Sequence, residues 1–153
     1  NYQKLVVEEM KGKPESGNIV TEDGEVLGKH NGLFNYTIGQ RKGLGIAYKH
    51  PLYVIGFNGD RNEVIVGPNE RLFTNRMICK FYNFLDDTIH KELKAEGKIR
   101  YAANPSPCIA RILDDDTMEV IFEEPQRAIT PGQSVAFYNG TQLLGGAVID
   151  RVC

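Results

Sequence analysis

The chain has 153 residues, 41% of them hydrophobic and 25% charged, and a formal net charge of −2. This balance belongs to a globular protein with one ordinary domain or two small ones, and excludes a surface that binds nucleic acid over its whole extent; any such binding must be local. No stretch approaches the roughly 20 apolar residues of a membrane span, and the N-terminal segment lacks the apolar core of a signal peptide, so a cytoplasmic location with no membrane partner is expected.

In chain order, Leu5, Val6 and Met10 recur at helical spacing among Glu and Lys and predict a short helix over 2–10, stopped near Gly12 and Pro14. Almost everything after it alternates like strand. Strands over 17–20 and 25–27 flank Glu22-Asp23-Gly24, whose Asp-Gly pair predicts a hairpin turn. A strand over 34–38 then runs into Gly39-Gln40-Arg41-Lys42-Gly43-Leu44-Gly45-Ile46. Two adjacent cations between glycines read either as a cradle for phosphate or as a strand-to-strand turn that happens to be basic. Strands over 52–57 and 62–66 flank Asn58-Gly59-Asp60-Arg61 and predict a second hairpin.

Gly67-Pro68-Asn69 breaks the pattern, and 67–75 is the best candidate for a boundary between two small units. Beyond it, strands are predicted over 77–84, 97–102, 108–113, 118–122, 133–138 and 143–149, with room for a helical turn within 86–96. Six strands joined by short loops leave exposed edges in a flat sheet of this size, so a closed or nearly closed antiparallel barrel is expected.

The residues suggest no active site. His30, His50 and His90 are scattered without ligand-like spacing, Asp114 to Asp116 suit a solvated turn, and neither a Gly-x-Ser-x-Gly elbow nor a nucleotide-binding Gly-Lys-Ser/Thr loop occurs. Cys79, Cys108 and Cys153 form no Cys-x-x-Cys pair; the first two read as small buried hydrophobes in strand-like runs. Neither a catalytic residue nor a metal ligand is assigned.

Taken together, the ordered segments are specific. Gly17-Asn18-Ile19-Val20, Gly24, Leu27-Gly28-Lys29-His30, Tyr36 to Ile46, Lys98-Ile99-Arg100-Tyr101, Pro107-Cys108, Ala128 to Tyr138 and Leu144-Gly145-Gly146 closely resemble the C-terminal part of the tRNA-specific 2-thiouridylases. The resemblance covers nearly the whole chain. It implies a mainly β chain cut from a longer one: the end of a small central domain over 1–71, then over 72–153 a six-stranded antiparallel β-barrel resembling the second domain of elongation factors. In that family ATP activates the wobble uridine and a cysteine persulfide delivers sulfur, with the ATP site and catalytic cysteines in an N-terminal domain absent here. The fragment is therefore expected to need no cofactor itself and to be inactive alone. Its implied partners are tRNA, the missing catalytic domain and a sulfur-relay protein. Matched tRNA-contacting positions are Arg100, Tyr101 and Gln133, joined on charge by Arg41, Lys42 and Lys98. Arginine suits phosphate, tyrosine suits stacking and glutamine suits a base edge, whereas an Arg-Tyr pair on a strand also suits packing and surface alone.

Overall fold

The structure, a computed structural model, describes residues 15–153, and the helix expected over 2–10 lies outside the described residues. The chain divides into two compact units, Asn1–Phe73 and Thr74–Cys153.

In the first unit, β1 (Gly17–Thr21), β2 (Val26–His30), β3 (Tyr53–Asn58) and β4 (Glu63–Gly67) form a sheet in the order β2-β1-β4-β3. The two hairpins are antiparallel and meet through a parallel β1–β4 pairing. Both predicted turns form: Gly24 sits at φ 88, and the Asn58 carboxamide oxygen accepts the Arg61 amide at 3.2 Å. Ile19, Val54, Val64 and Val66 are fully buried, and Leu33, Tyr36, Leu44 and Leu52 from the β2–β3 connection complete the core. His30 is buried too. Its Nδ1 accepts the Gly32 amide at 3.0 Å and its Nε2 hydrogen-bonds the Asn62 carbonyl at 2.7 Å, so the ring ties β2 to the second hairpin turn.

The strand expected over 34–38 does not form. Leu33–Asn35 is a single 3-10 turn closed by the Tyr36 amide on the Leu33 carbonyl at 3.1 Å. Leu33 and Tyr36 are both buried, and a spacing of three on one side requires a helical turn, since a strand would send them to opposite faces.

The second unit is a closed barrel of β5 (Phe73–Phe84), β6 (Glu92–Lys98), β7 (Ser106–Ile112), β8 (Thr117–Arg127), β9 (Ser134–Asn139) and β10 (Gln142–Val152), in the order β10-β5-β8-β7-β6-β9. Residues alternate inward along the strands, as in Met77 and Cys79, Met118, Val120 and Phe122, and Val135 and Phe137, and fill the barrel interior with apolar side chains. Closure leaves no free edge among these strands, which is how so small a sheet satisfies its backbone.

One strand lies where the sequence did not place it. Glu92–Lys98 is extended, and Arg100 to Ala103 is a turn closed by the Ala103 amide on the Arg100 carbonyl at 3.0 Å. Glu92, Leu93, Lys94, Ala95 and Glu96 are good helix formers, yet Leu93 and Ala95 pack on the barrel core while the charged residues point outward. Pairing with β7 on one side and β9 on the other outweighs that local preference. Among the described residues no α-helix forms.

Candidate nucleic-acid interface

In the first unit, the basic run belongs to the β2–β3 connection. Its glycines are needed for their conformation: Gly39, Gly43 and Gly45 sit at φ 90, 78 and 66, a region that residues with a Cβ rarely enter. Gln40 holds the loop. Its side-chain oxygen accepts the Thr37 amide at 3.0 Å and its side-chain nitrogen donates to the Lys42 carbonyl at 2.9 Å, while its main chain pairs with Val54 of β3. Leu44 is buried and pins the far side. Arg41 and Lys42 consequently project to solvent.

Beside the loop is an open cavity of about 460 Å³, lined by Arg41, Gly45, Tyr48, Lys49 and His50 among others. Lys49 Nζ lies 5.9 Å from the Tyr48 ring centre, and the Tyr48 and His50 rings meet edge to face at 4.9 Å. Cations beside half-exposed aromatic faces suit a phosphate with an adjoining base or ribose. Tyr48, Lys49 and His50 were not singled out from the sequence as binding residues, although the run Tyr48-Lys49-His50 follows the basic loop closely. Lys42 does not line this cavity.

In the second unit, four of the sequence-predicted residues come together at one end of the barrel. Lys98 ends β6 opposite Ala136 of β9, so the chain beyond it, Arg100 and Tyr101, runs past the start of β9 and Gln133 just before it. Arg100 and Tyr101 stand in the turn, not on a strand. Tyr101 is 96% exposed, and Lys98 Nζ sits 5.3 Å from its ring centre. The Arg100 guanidinium donates to the Ala128 carbonyl at 3.3 Å and to the Arg127 carbonyl. Ala128 adopts φ 58 at this point, and the Thr130 hydroxyl donates to the same Ala128 carbonyl at 2.9 Å. Carbonyls are neutral acceptors, so the arginine keeps its full charge while fixing the segment that leads to Gln133.

The Thr130-Pro131-Gly132-Gln133 turn forms as its Pro-Gly pair predicts: Gly132 is at φ 89, and the Gln133 amide donates to the Thr130 carbonyl at 3.2 Å. The Gln133 carbonyl in turn accepts the Ile149 amide at 2.8 Å, leaving its side chain exposed at the strand start. The sequence reading missed Ala128 and Thr130 as supports of this site. Only their place just ahead of the Pro-Gly turn signalled them.

Among the described residues no group of three or more His, Cys, Asp or Glu could hold a metal. Burial pushes the Cys79 and Cys108 thiols up to about 12, with nearby carboxylates adding to it, so neither supplies a thiolate at neutral pH. Cys153 is exposed. In the native protein a maleimide should therefore label Cys153 within minutes and leave Cys79 and Cys108 unmodified until denaturant is added, as counted by intact mass; rapid labelling of all three thiols would contradict this burial.

Comparison with known proteins fits this two-part organisation. Residues 4–68 match the family model described as tRNA methyl transferase PRC-barrel domain, and residues 74–149 match the aminomethyltransferase beta-barrel domain. The tRNA-specific 2-thiouridylase MnmA of Clostridioides difficile strain 630 is 43% identical over 152 residues, covering 99% of this chain and 42% of the relative. The chain belongs to the tRNA-specific 2-thiouridylase family. A 2-thiouridylase of Geotalea uraniireducens is 44% identical over 151 residues, with 99% of this chain and 40% of that protein covered; one from Clostridium tetani is 44% identical over 153 residues. The chain thus spans about two fifths of the length of these 2-thiouridylases. No helix among the described residues is long and apolar enough to cross a membrane.

Proposed function

We propose that this chain is the non-catalytic, tRNA-recognising portion of a 2-thiouridylase. The observation that carries this reading is the barrel end, where the bare Tyr101 ring lies under Lys98 beside the still-charged Arg100 and the outward Gln133. Tyr101 offers a stacking face for an unpaired base, Lys98 and Arg100 attract the adjoining phosphates, and Gln133 can bond a base edge. Arg41 and Lys42, with the Tyr48 cavity, form a second phosphate-attracting surface in the other unit. Catalysis resides elsewhere on this reading: the ATP site and the sulfur-bearing cysteines belong to the part of the relatives that this chain does not span, and the fragment alone is inactive.

The two family-model descriptions speak of methyl transfer, whereas the relatives are named for thiolation. The relatives carry more weight because each resembles 99% of this chain at once. A second reading, a scaffold that packs on the catalytic domain or docks a sulfur-relay protein, is favoured by the exposed apolar side chains at the barrel's other end.

Titration of labelled tRNA with this chain at two salt concentrations tests the first reading. Weak binding is expected, with a log–log salt slope of about −2 to −4 from three or four phosphate contacts. No binding at low salt, or binding indifferent to salt, would sink it.

A further inference from the structure

We infer that the barrel end opposite Lys98 and Gln133 is a docking surface for a separate protein, one that presents a basic, amphipathic segment. The inference does not depend on the tRNA reading. Phe81 and Leu85 are each 71% exposed, Leu113 is 51% and Leu143 45%, the reverse of what isolated burial would give four large apolar side chains. They fall into two pairs at this end of the barrel, carried by β5 and the residue that follows it. The Phe81 amide donates to the Asp116 carbonyl at 3.0 Å, the Tyr82 hydroxyl to the Asp114 carbonyl at 2.9 Å, and the Leu113 amide to the Thr117 carbonyl at 3.0 Å, which joins Phe81 to the β7–β8 turn. The Leu85 amide donates to the Leu144 carbonyl at 2.9 Å, which sets Leu85 beside Leu143.

Phe81 also adopts φ 52. A bulky residue rarely takes this left-handed conformation, and here it turns an aromatic ring to solvent instead of relieving the strain.

Charge decides the occupant. Asp86 and Asp87 follow Leu85, Asp114 to Asp116 follow Leu113, and Lys91 is the cation in the same loop as Asp86; the Lys91 carbonyl accepts the Ile112 amide at 2.7 Å. Five carboxylates against one ammonium leave these two loops at a net charge of −4, and Lys80, next to Phe81, is paired with Asp150. Asp86 and Asp114 are held in their ionised form by hydrogen bonds from Thr88, and from Asp116 and Thr117 respectively. Such a rim repels tRNA phosphates and an anionic bilayer surface, and repels a second copy of itself, but attracts lysine and arginine flanking an apolar stripe. The exposed aromatic and leucines are the anchors such a contact uses, with the acids supplying steering at its edge.

The test uses this chain with a synthetic helical Lys–Leu peptide whose leucines fall at i, i+3, i+4 and i+7, and a scrambled peptide of the same composition. The patterned peptide should bind at least about tenfold more tightly than the scrambled one, and the amides of Phe81, Leu85, Leu113 and Leu143 should shift in its nuclear magnetic resonance titration. Phe81→Ser with Leu85→Ser, and separately Asp87→Lys with Asp115→Lys, should each weaken it about tenfold while tRNA affinity stays unchanged. If Phe81→Ser does not fold, Leu85→Ser with Leu143→Ser carries the same test. Equal affinity for the scrambled peptide, shifts located elsewhere, or variants without effect would overturn the proposal. So would self-association of this chain abolished by Leu85→Ser, or loss of peptide binding when the full-length parent replaces this chain, since these assign the patch to a second copy or to the parent's own remainder.

Discussion

Replacing Gly145 with alanine should abolish the barrel's cooperative melting transition at ordinary temperatures or lower its midpoint by roughly 15 °C. A Cβ at this position would stand 2.2 Å from the Asn83 carbonyl oxygen, 2.8 Å from Phe84 Cδ1 and 2.9 Å from Phe84 Cα. Two of those atoms are backbone, so no rotamer change relieves the clash. Gly145 pairs with Phe84 of β5 on one side and Phe137 of β9 on the other, and the only escape is to part β10 from a neighbour. Overpacking plus the lost ladder bonds costs about 3 kcal/mol or more, a large share of the roughly 5–15 kcal/mol that holds a small domain folded. Gly59→Ala is the matched control. A Cβ there meets nothing within 4 Å, and the change should be close to neutral. Circular dichroism melts of the two variants check the pair; a Gly145→Ala midpoint within a few degrees of the parent would contradict the packing described.

Some of this architecture is legible in the residues themselves, and the reason is local. Asp23-Gly24 and Pro131-Gly132 each demand a glycine with positive φ, Asn58 closes its own turn through its side chain, and each turn forms where its residues stand. β6 was misplaced because Glu92 to Glu96 favour helix locally, and only partners 11 to 42 residues away make them a strand. Leu33 and Tyr36 misled in the other direction: their β-branched and aromatic neighbours suggest extension, while the need to bury both on one side of the small sheet imposes a turn. For the candidate interface, the family resemblance pointed to Arg100, Tyr101 and Gln133 and charge added Lys98, and the structure brings these four to one end of the barrel. What sequence could not supply is the hold of Arg100 on the Arg127 and Ala128 carbonyls. That contact needs Ala128 in the left-handed region, a conformation no alanine advertises.

This hold makes Arg100 a poor single probe of tRNA contact. Truncating it removes a charge and also frees 127–133, so affinity would fall through displacement of Gln133 even if the guanidinium never met a phosphate. Arg100→Lys separates the two: it keeps the charge but cannot bridge both carbonyls. A drop in affinity with an unchanged salt slope marks a positioning residue, and a drop restored by lysine marks a phosphate contact.

Tyr101 and Lys98 are the cleaner pair, and the largest functional loss is expected there. In the full-length parent, Lys98→Ala with Tyr101→Ala should weaken tRNA binding about 100-fold, since stacking on one base is worth ~1–3 kcal/mol and tenfold in affinity corresponds to about 1.4 kcal/mol. Stability should not change, because a ring that is 96% exposed has almost no burial to lose. The two singles should part on salt. Lys98→Ala removes a phosphate partner and should reduce the log–log slope by about 1, whereas Tyr101→Ala should leave the slope intact and Tyr101→Phe should retain most of the affinity. If Tyr101→Phe is as weak as Tyr101→Ala, the hydroxyl and not the ring face makes the contact; if neither differs from the parent, the barrel end is not where tRNA binds.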